Sequence, residues 1–211
     1  MKVACISDLH GYLPDLSGLD FDLLVIGGDI TPLYHKHAYK KQGVWLSQTF
    51  EPWLKNIRKP VIGVAGNHDG VFQHARHLVP ELLPWIYLQD EGAEVLGLKI
   101  WGSPWQQTFH NWHFNLPELD LAQKWEMIPE GLDVLLLHSP PFGYGDRVHF
   151  YPPVGSPSLT QAIFDKKPRL VVFGHIHDGY GLYYTEDSLL VNASYVDEQY
   201  RPGNPVQVIE L

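Results

Sequence analysis

The sequence predicts an α/β fold in which two mixed β-sheets pack together and helices flank them. Three observations carry that expectation. Five short, uniformly apolar runs suit strands buried on both faces, and each stops at a cluster of Asp, Asn or His. Segments with helical spacing lie early and in the middle of the chain, while hairpin signals gather late. Ligand-type residues belong where loops leave the carboxyl ends of buried strands, so the clusters and the runs predict the same edge of the sheets.

Residues 1–7 form the first run, which stops at Asp8-Leu9-His10-Gly11, and residues 21–26 form the second, which stops at Gly27-Gly28-Asp29. Residues 38–57 carry Val44, Trp45, Thr49, Trp53, Leu54 and Ile57 at helical spacing and read as a crossover helix ended by Pro60. The third run, residues 60–65, stops at Gly66-Asn67-His68-Asp69, and residues 71–83 are a helix candidate closed by Pro80 and Pro84. In residues 85–101, Gly92 and Gly97 separate the short apolar pieces Ile86-Tyr87-Leu88 and Glu94-Val95-Leu96, a pattern of antiparallel hairpin strands. Residues 102–117 are rich in Trp, Phe, Asn and His without a period and read as an ordered loop over the site.

A short helix is expected over residues 119–128, then the fourth run, residues 132–137, which stops at His138-Ser139-Pro140-Pro141. Glycines and prolines make residues 143–157 a loop, followed by a helix over 159–165. The fifth run, residues 170–173, stops at Gly174-His175-Ile176-His177. A final hairpin pairs residues 181–185 with 188–193, and residues 206–211 close a sheet.

A chain of 211 residues can bury one sizeable core, and without a linker composition the expectation is a single domain over residues 1–211. A net charge of −9 argues against an extended nucleic-acid surface, which needs a face rich in Lys and Arg. A small anionic substrate is still compatible, because two divalent cations held by few carboxylates make a locally positive pocket. Cys5, alone in the chain, reads as a buried, inert thiol and excludes a disulfide framework. The amino terminus enters a strand directly, without a targeting pattern, so a cytoplasmic protein is expected. No apolar stretch approaches the roughly 20 residues that span a bilayer. The oligomeric state is open, with a homodimer as one option.

Asp8, His10, Asp29, Asn67, His138, His175 and His177 form a ligand set for two metal ions. Such a pair, about 3.5 to 4 Å apart, can stabilise an in-line displacement at phosphorus. Asp29 is the natural bridge, because a carboxylate offers two oxygens and the Gly27-Gly28 turn lets backbone come close. Asp8, His10 and one of the late histidines then complete the first ion; Asn67, His138 and the other late histidine complete the second. Alternation along His175-Ile176-His177 points both imidazoles one way. Mixed oxygen and imidazole ligands suit Mn, Fe, Co, Ni or Zn rather than Ca or Mg.

His68 adjoins Asn67 without being needed as a ligand, which frees it to protonate a departing oxygen. Asp69 either orients His68 and raises its pKa or serves as a turn-forming carboxylate. Tyr12 and Phe142 each follow a ligand block and are the preferred substrate-facing aromatics, ahead of Tyr34, Trp105 and Tyr144. His35, His37, His74, His77, His110, His113 and His149 lie outside the blocks and read mostly as surface or loop histidines.

Asp8-x-His10, Gly28-Asp29, Gly66-Asn67-His68-Asp69, His138 and Gly174-His175-x-His177, in this order, resemble the calcineurin-like metallophosphoesterase signature. The resemblance implies a four-layer α/β/β/α sandwich, a dimetal centre and a bridging hydroxide. It also implies that His177 joins Asp8 and His10 on one ion, with Asn67, His138 and His175 on the other. Gly102-Ser103-Pro104-Trp105-Gln106, Asn111-Trp112-His113-Phe114-Asn115-Leu116-Pro117, Ile128-Pro129-Glu130-Gly131 and His138-Ser139-Pro140-Pro141-Phe142-Gly143 carry a narrower likeness. With Gly174-His175-Ile176-His177-Asp178-Gly179-Tyr180-Gly181 and Val191-Asn192-Ala193-Ser194, they are similar to the brain-type metallophosphoesterase-domain proteins and their bacterial relatives.

That likeness implies phosphodiesterase activity, including on cyclic nucleotides. Where many phosphoesterases read G-D-x-x-D-R, this chain continues Gly28-Asp29-Ile30-Thr31 without the Arg that would grip a phosphomonoester dianion. The expected partner is therefore a small phosphodiester. A phosphomonoesterase and a non-catalytic binding scaffold are the alternatives.

Overall fold

Alternation along the strands decides how the layers stack. In β1 (Lys2–Ile6), Val3 and Cys5 face one side and Ala4 and Ile6 the other, and all four are buried. The same holds for β2 (Leu23–Ile26), with Leu23 and Val25 on one face and Leu24 and Ile26 on the opposite one. The computed structural model describes residues 1–34, 37–149 and 151–211, so His35 and Phe150, which fall within the histidine set and the 143–157 loop considered above, lie outside the described residues.

The crossover helix runs as α1 (Tyr39–Trp45), a π-helical turn over Leu46–Phe50 and α2 (Glu51–Ile57). Pro52 lacks the N–H that the carbonyl four residues back would accept, and a wider turn accommodates the ring at that point. Leu46, Phe50 and Leu54 face the sheet and are buried. Spaced by four, they would drift by about 40° per step on a regular helix, and the wider turn holds them on one face. Val44, at 53% exposed, is not part of that face.

Next come β3 (Val61–Gly63), α3 (Gly70–His74) and a 3-10 turn over Arg76–Leu78, in place of a helix through residue 83. The expected hairpin over residues 85–101 divides. β4 (Ile86–Tyr87) joins β3 in parallel, whereas β5 (Glu91–Val95) and β6 (Leu98–Ser103) form the antiparallel hairpin in the other sheet. Gly63 explains the split: its missing side chain leaves room for the Trp85 ring, which leads β4 onto the first sheet. Residues 102–117, expected as loop, contain the end of β6 and two short parallel strands, β7 (Gln106–Gln107) and β8 (Asn115–Leu116).

The remaining elements are α4 (Glu118–Glu126), β9 (Val134–Leu137), α5 (Pro157–Lys166), β10 (Leu170–Phe173), β11 (Gly181–Tyr184), β12 (Leu189–Asn192) and β13 (Gln207–Glu210). The first sheet has the order β13-β1-β2-β3-β4 and the second β11-β12-β10-β9-β6-β5. Both are mixed: β1 to β4 run parallel with β13 antiparallel at the edge, and β12, β10, β9 and β6 run parallel between antiparallel β11 and β5.

Val3, Cys5, Leu23, Val25 and Ile62 pack against Ile100, Val134, Leu136, Val172 and Val191, forming the core between the sheets. The outer face of the first sheet buries Ala4, Ile6, Leu24 and Ile26 under Leu46, Phe50 and Leu54. Leu135, Leu137, Val171 and Phe173 on the second sheet meet Leu121, Trp125, Leu159 and Ile163 of α4 and α5. The result is the four-layer α/β/β/α sandwich that the resemblance implies. Among the described residues, no helix is long and apolar enough to cross a membrane.

Candidate metal centre

The loops after β1, β2, β3, β9 and β10 meet at one edge of the stacked sheets, and backbone hydrogen bonds fasten them there. Ser7 N–H donates to the Ala193 carbonyl at 2.8 Å, Asp8 N–H to Gly28 at 2.9 Å, His10 N–H to Asp29 at 2.9 Å and Gly174 N–H to His138 at 3.1 Å. The chain turns so tightly that Asp8, His10, Asp29 and His175 take φ of +52°, +42°, +50° and +68°. Each such non-glycine residue costs on the order of 1 kcal/mol and persists only where its surroundings fix it. Four predicted ligands thus share one strained backbone state.

The carboxylate of Asp8 is buried and accepts the His175 N–H at 3.0 Å and the Ser194 hydroxyl at 2.8 Å. Its Oδ1 lies 3.4 Å from His177 Nε2, which in turn faces His10 Nε2 at 3.3 Å. Asp29 Oδ1 accepts the His68 N–H at 2.7 Å, leaving Oδ2 3.7 Å from His10 Nε2 and 3.6 Å from His138 Nε2. That oxygen stands between the two halves of the site, where a bridge belongs. His138 Nε2 is 2.9 Å from Asn67 Oδ1, and the His138 and His175 rings meet edge-on at 5.0 Å.

Glycines flank the ligands because side chains would displace them. A Cβ on Gly174 would strike the Asp8 carboxylate, and one on Gly66 would strike Asp29 and the His138 ring.

Tautomers decide whether these residues fit metal ions. His138 Nδ1 lies 2.9 Å from the Gly27 carbonyl and His177 Nδ1 3.0 Å from the Asp197 carbonyl, and a carbonyl only accepts, so each Nδ1 carries the hydrogen. Both Nε2 lone pairs then point into the site. Burial holds His10, His138 and His175 below the usual imidazole pKa, which keeps them neutral and ready to ligate. His177 moves the other way: burial opposes its charge, yet Asp8 outweighs burial and raises it. Burial also opposes ionisation of Asp8, but His177, His138 and His10 bring its carboxyl below the ordinary value.

Burial, then the charges of Asp69 and Asp8, raises Asp29 well above the carboxylate range. Lone pairs facing lone pairs beside crowded carboxylates are the arrangement that divalent cations relieve. The ligand atoms of Asp8, His10 and His177 lie within 4.8 Å of one another, as do those of His10, Asp29 and His68 and those of Asp8, Asp29 and His138, so the chemistry and crowding of these buried donors fit divalent ions.

Asp69 departs from the orienting role expected for it. Its carboxylate accepts N–H groups of Ile30, Thr31 and Gly66 at 2.9 to 3.1 Å and holds the Asp29 loop, the turn-forming alternative. Burial, followed by the nearby His138, pushes His68 down to about 4, the opposite of the expected rise. Among the described residues, the rings around His68 are Trp112, with centroids 4.3 Å apart and planes 39° apart, His10 at 4.9 Å and Tyr200 at 6.4 Å.

Tyr12 and Phe142, at 45% and 43% exposed, stand on the surface beside ligand loops. Sequence reasoning did not single out Ser194, Asp197, Trp112 or Tyr200. Tyr200 sets its ring 4.9 Å from His10 and 5.0 Å from His177. The only available signals were the Asn111-Trp112-His113 and Val191-Asn192-Ala193-Ser194 stretches, which are motif-like but carry no ligand spacing.

The calcineurin-like phosphoesterase family matches residues 1–179. Metallophosphoesterase domain-containing protein 1 of Homo sapiens is 36% identical over 237 residues, covering 100% of this chain and 71% of that protein. A UPF0046 protein of Caenorhabditis elegans is 33% identical over 178 residues, covering 83% of this chain and 43% of its own length. Among solved structures, the TT1561 protein of Thermus thermophilus superposes with a TM-score of 0.58 at 15% identity, over 90% of this chain and 88% of that one. Another reaches 0.66 at 16% identity, over 99% and 98%. At these identities the structural likeness is one of fold.

Proposed function

The chain belongs to the calcineurin-like phosphoesterase family, whose dimetal centres hydrolyse phosphoesters, and from that premise we propose that it is a phosphodiesterase for cyclic nucleotides or similar small phosphodiesters. The observation that carries the diester reading is the charge of the site. Among the described residues, the ion-pair partners of Asp8 and Asp29 are His10, His138 and His177, with no guanidinium or ammonium. A phosphomonoester carries a second negative charge that a bidentate Arg grips best, whereas a diester monoanion needs less. Ile30, Thr31, Pro32 and Leu33, which follow Asp29, supply no cation.

Two divalent ions bound at this centre would neutralise charge developing at phosphorus and acidify a water. Asp8, His10 and His177 would hold one ion and Asn67, His138 and His175 the other, with Asp29 shared between them. His68 gives its proton to the departing oxygen. In the free protein its imidazole is neutral near pH 7, and an arriving phosphodiester anion favours the protonated ring. Tyr12 and Phe142 border the substrate with their exposed rings. The net charge of −9 supports a small phosphoester substrate over a nucleic-acid polymer.

Hydrolysis by manganese-loaded protein across 2′,3′- and 3′,5′-cyclic nucleotides, nucleoside monophosphates and aryl diesters tests this reading. Diesters are expected to turn over faster than matched monoesters. The opposite order leaves the metal chemistry in place and makes the protein a phosphomonoesterase.

A further inference from the structure

The backbone of His68 is fixed on both sides. Its N–H donates to Asp29 Oδ1 at 2.7 Å, and its carbonyl accepts Gln42 Nε2 at 2.5 Å and Thr31 Oγ1 at 3.2 Å. None of these contacts sets the side-chain torsions, and the carboxylate next in the chain, Asp69, is committed to Ile30, Thr31 and Gly66. Among the described residues, the ring packed most closely on the imidazole is the indole of Trp112, tilted by 39° with centroids at 4.3 Å, while the edge-on ring of His10 closes the other approach at 4.9 Å and 88°. We propose that Trp112 is the positioning residue of His68, holding the imidazole at the angle from which it reaches the departing oxygen.

The loop that carries Trp112 is built to hold it. Next to it in the chain, His113 and Phe114 are 3% and 0% exposed, so the segment is anchored immediately beside the indole. Phe114 N–H donates to Gln73 Oε1 at 2.8 Å, which ties the loop to α3, the helix that follows His68. Gln106 closes the base of the loop: its N–H donates to the Phe114 carbonyl at 2.9 Å and its side-chain amide to Asn115 Oδ1 at 2.9 Å. Gly70 supplies the clearance, since a Cβ there would strike the His113 imidazole. The indole and the imidazole therefore sit on two loops locked to one another. Offset and edge-on ring contacts of this geometry constrain orientation as well as burying area.

The inference rests on His68 as the proton donor, so its test has a separate structural arm. In metal-free protein, the ring-proton resonances of His68, identified by their loss in His68→Gln, are expected to be shielded by the indole face. Trp112→Leu is expected to move them downfield and Trp112→Phe to restore part of the shift. In manganese-loaded protein, Trp112→Leu is expected to lower kcat for an alkoxide-leaving cyclic nucleotide roughly tenfold more than for bis-p-nitrophenyl phosphate, with KM changed by less than about twofold. Gly70→Ala, which acts through His113, is expected to shift the same resonances with Trp112 intact. His68 resonances unmoved in Trp112→Leu overturn the inference, as does a loss carried by KM alone. If His68→Gln itself shows no dependence on the leaving group, the donor reading falls, and the resonance shift decides the positioning by itself.

Discussion

His10 Nε2 and His177 Nε2 face each other at 3.3 Å, although 167 residues separate them in the chain. His177 places its hydrogen on Nδ1 for the Asp197 carbonyl, so its Nε2 lone pair is turned towards His10 and the Asp8 carboxylate, where a cation would be held. Asp8, His10, Asp29 and His175 add strained backbone at the same spot. The fold therefore holds a buried, strained cluster of donors suited to a cation, and the predictions below follow from that.

Metal removal is expected to lower stability as well as activity. Each ion at about a hundredfold over its dissociation constant stabilises the folded state by about 2.7 kcal/mol, so loss of even one lowers Tm by roughly 5–10 °C at this chain length. Thermal unfolding with and without chelator, followed by manganese addition, measures the difference. An unchanged Tm would contradict the buried ligand set.

Ser194→Ala is expected to weaken metal binding roughly 10–100-fold while the protein remains folded. Its hydroxyl donates to Asp8 Oδ2 at 2.8 Å from a fully buried position and fixes which oxygen faces His177. Titration of metal-free protein with manganese or cobalt reads the loss directly. Affinity within twofold of wild type would remove Ser194 from the account.

Gly174→Ala is expected to destabilise the protein by about 1–3 kcal/mol, because its Cβ runs into the Asp8 carboxylate and the Ser7 hydroxyl. Gly203→Ala, with nothing within 4 Å of its Cβ, is the matched control and is expected to be near neutral. Chemical denaturation of the two variants side by side makes the comparison.

Glu118 gives a pH dependence remote from the metals. It accepts Ser158 N–H at 2.9 Å, the Ser158 hydroxyl at 2.6 Å, the Ser156 hydroxyl at 3.0 Å and the Gln107 amide at 2.8 Å, joining α4 to the start of α5 and to β7. Burial opposes its charge, but the bonds from Ser158 and Gln107 outweigh burial and lower its pKa below 4.5. A lowered carboxylate pKa contributes stability above the unfolded value and loses it as pH falls through the folded one. Glu118→Gln is expected to cost about 1 kcal/mol at neutral pH. The gap from wild type should close on acidification below 4.5, and a gap that is constant with pH would contradict the charge argument.

The ligands were legible in the sequence because each follows an apolar run, and strand ends are where a fold of this class collects its chemistry. Burial of both strand faces was legible for the same reason, since Val3 to Ile6 and Leu23 to Ile26 contain no polar residue to face solvent. Asp69 was left between two roles because adjacency in the chain says nothing about side-chain direction. At φ −95° and ψ 45° its carboxylate turns back under Ile30 and Thr31 rather than towards His68. Ser194, Trp112 and Tyr200 lacked a signal because ordinary residue types, brought in by β12, by the β7–β8 connection and by the segment before β13, acquire roles only in three dimensions. The parting of β4 from the β5–β6 hairpin was hidden likewise, because it depends on the Trp85 ring filling the space over Gly63.

The claim at the centre of this account is a two-ion site organised around Asp29, and metal stoichiometry tests it most directly. Elemental analysis of protein reconstituted with manganese and freed of unbound ion is expected to give two ions per chain for wild type and fewer than one for Asp29→Asn. One ion or none in wild type, or two retained in Asp29→Asn, would contradict it.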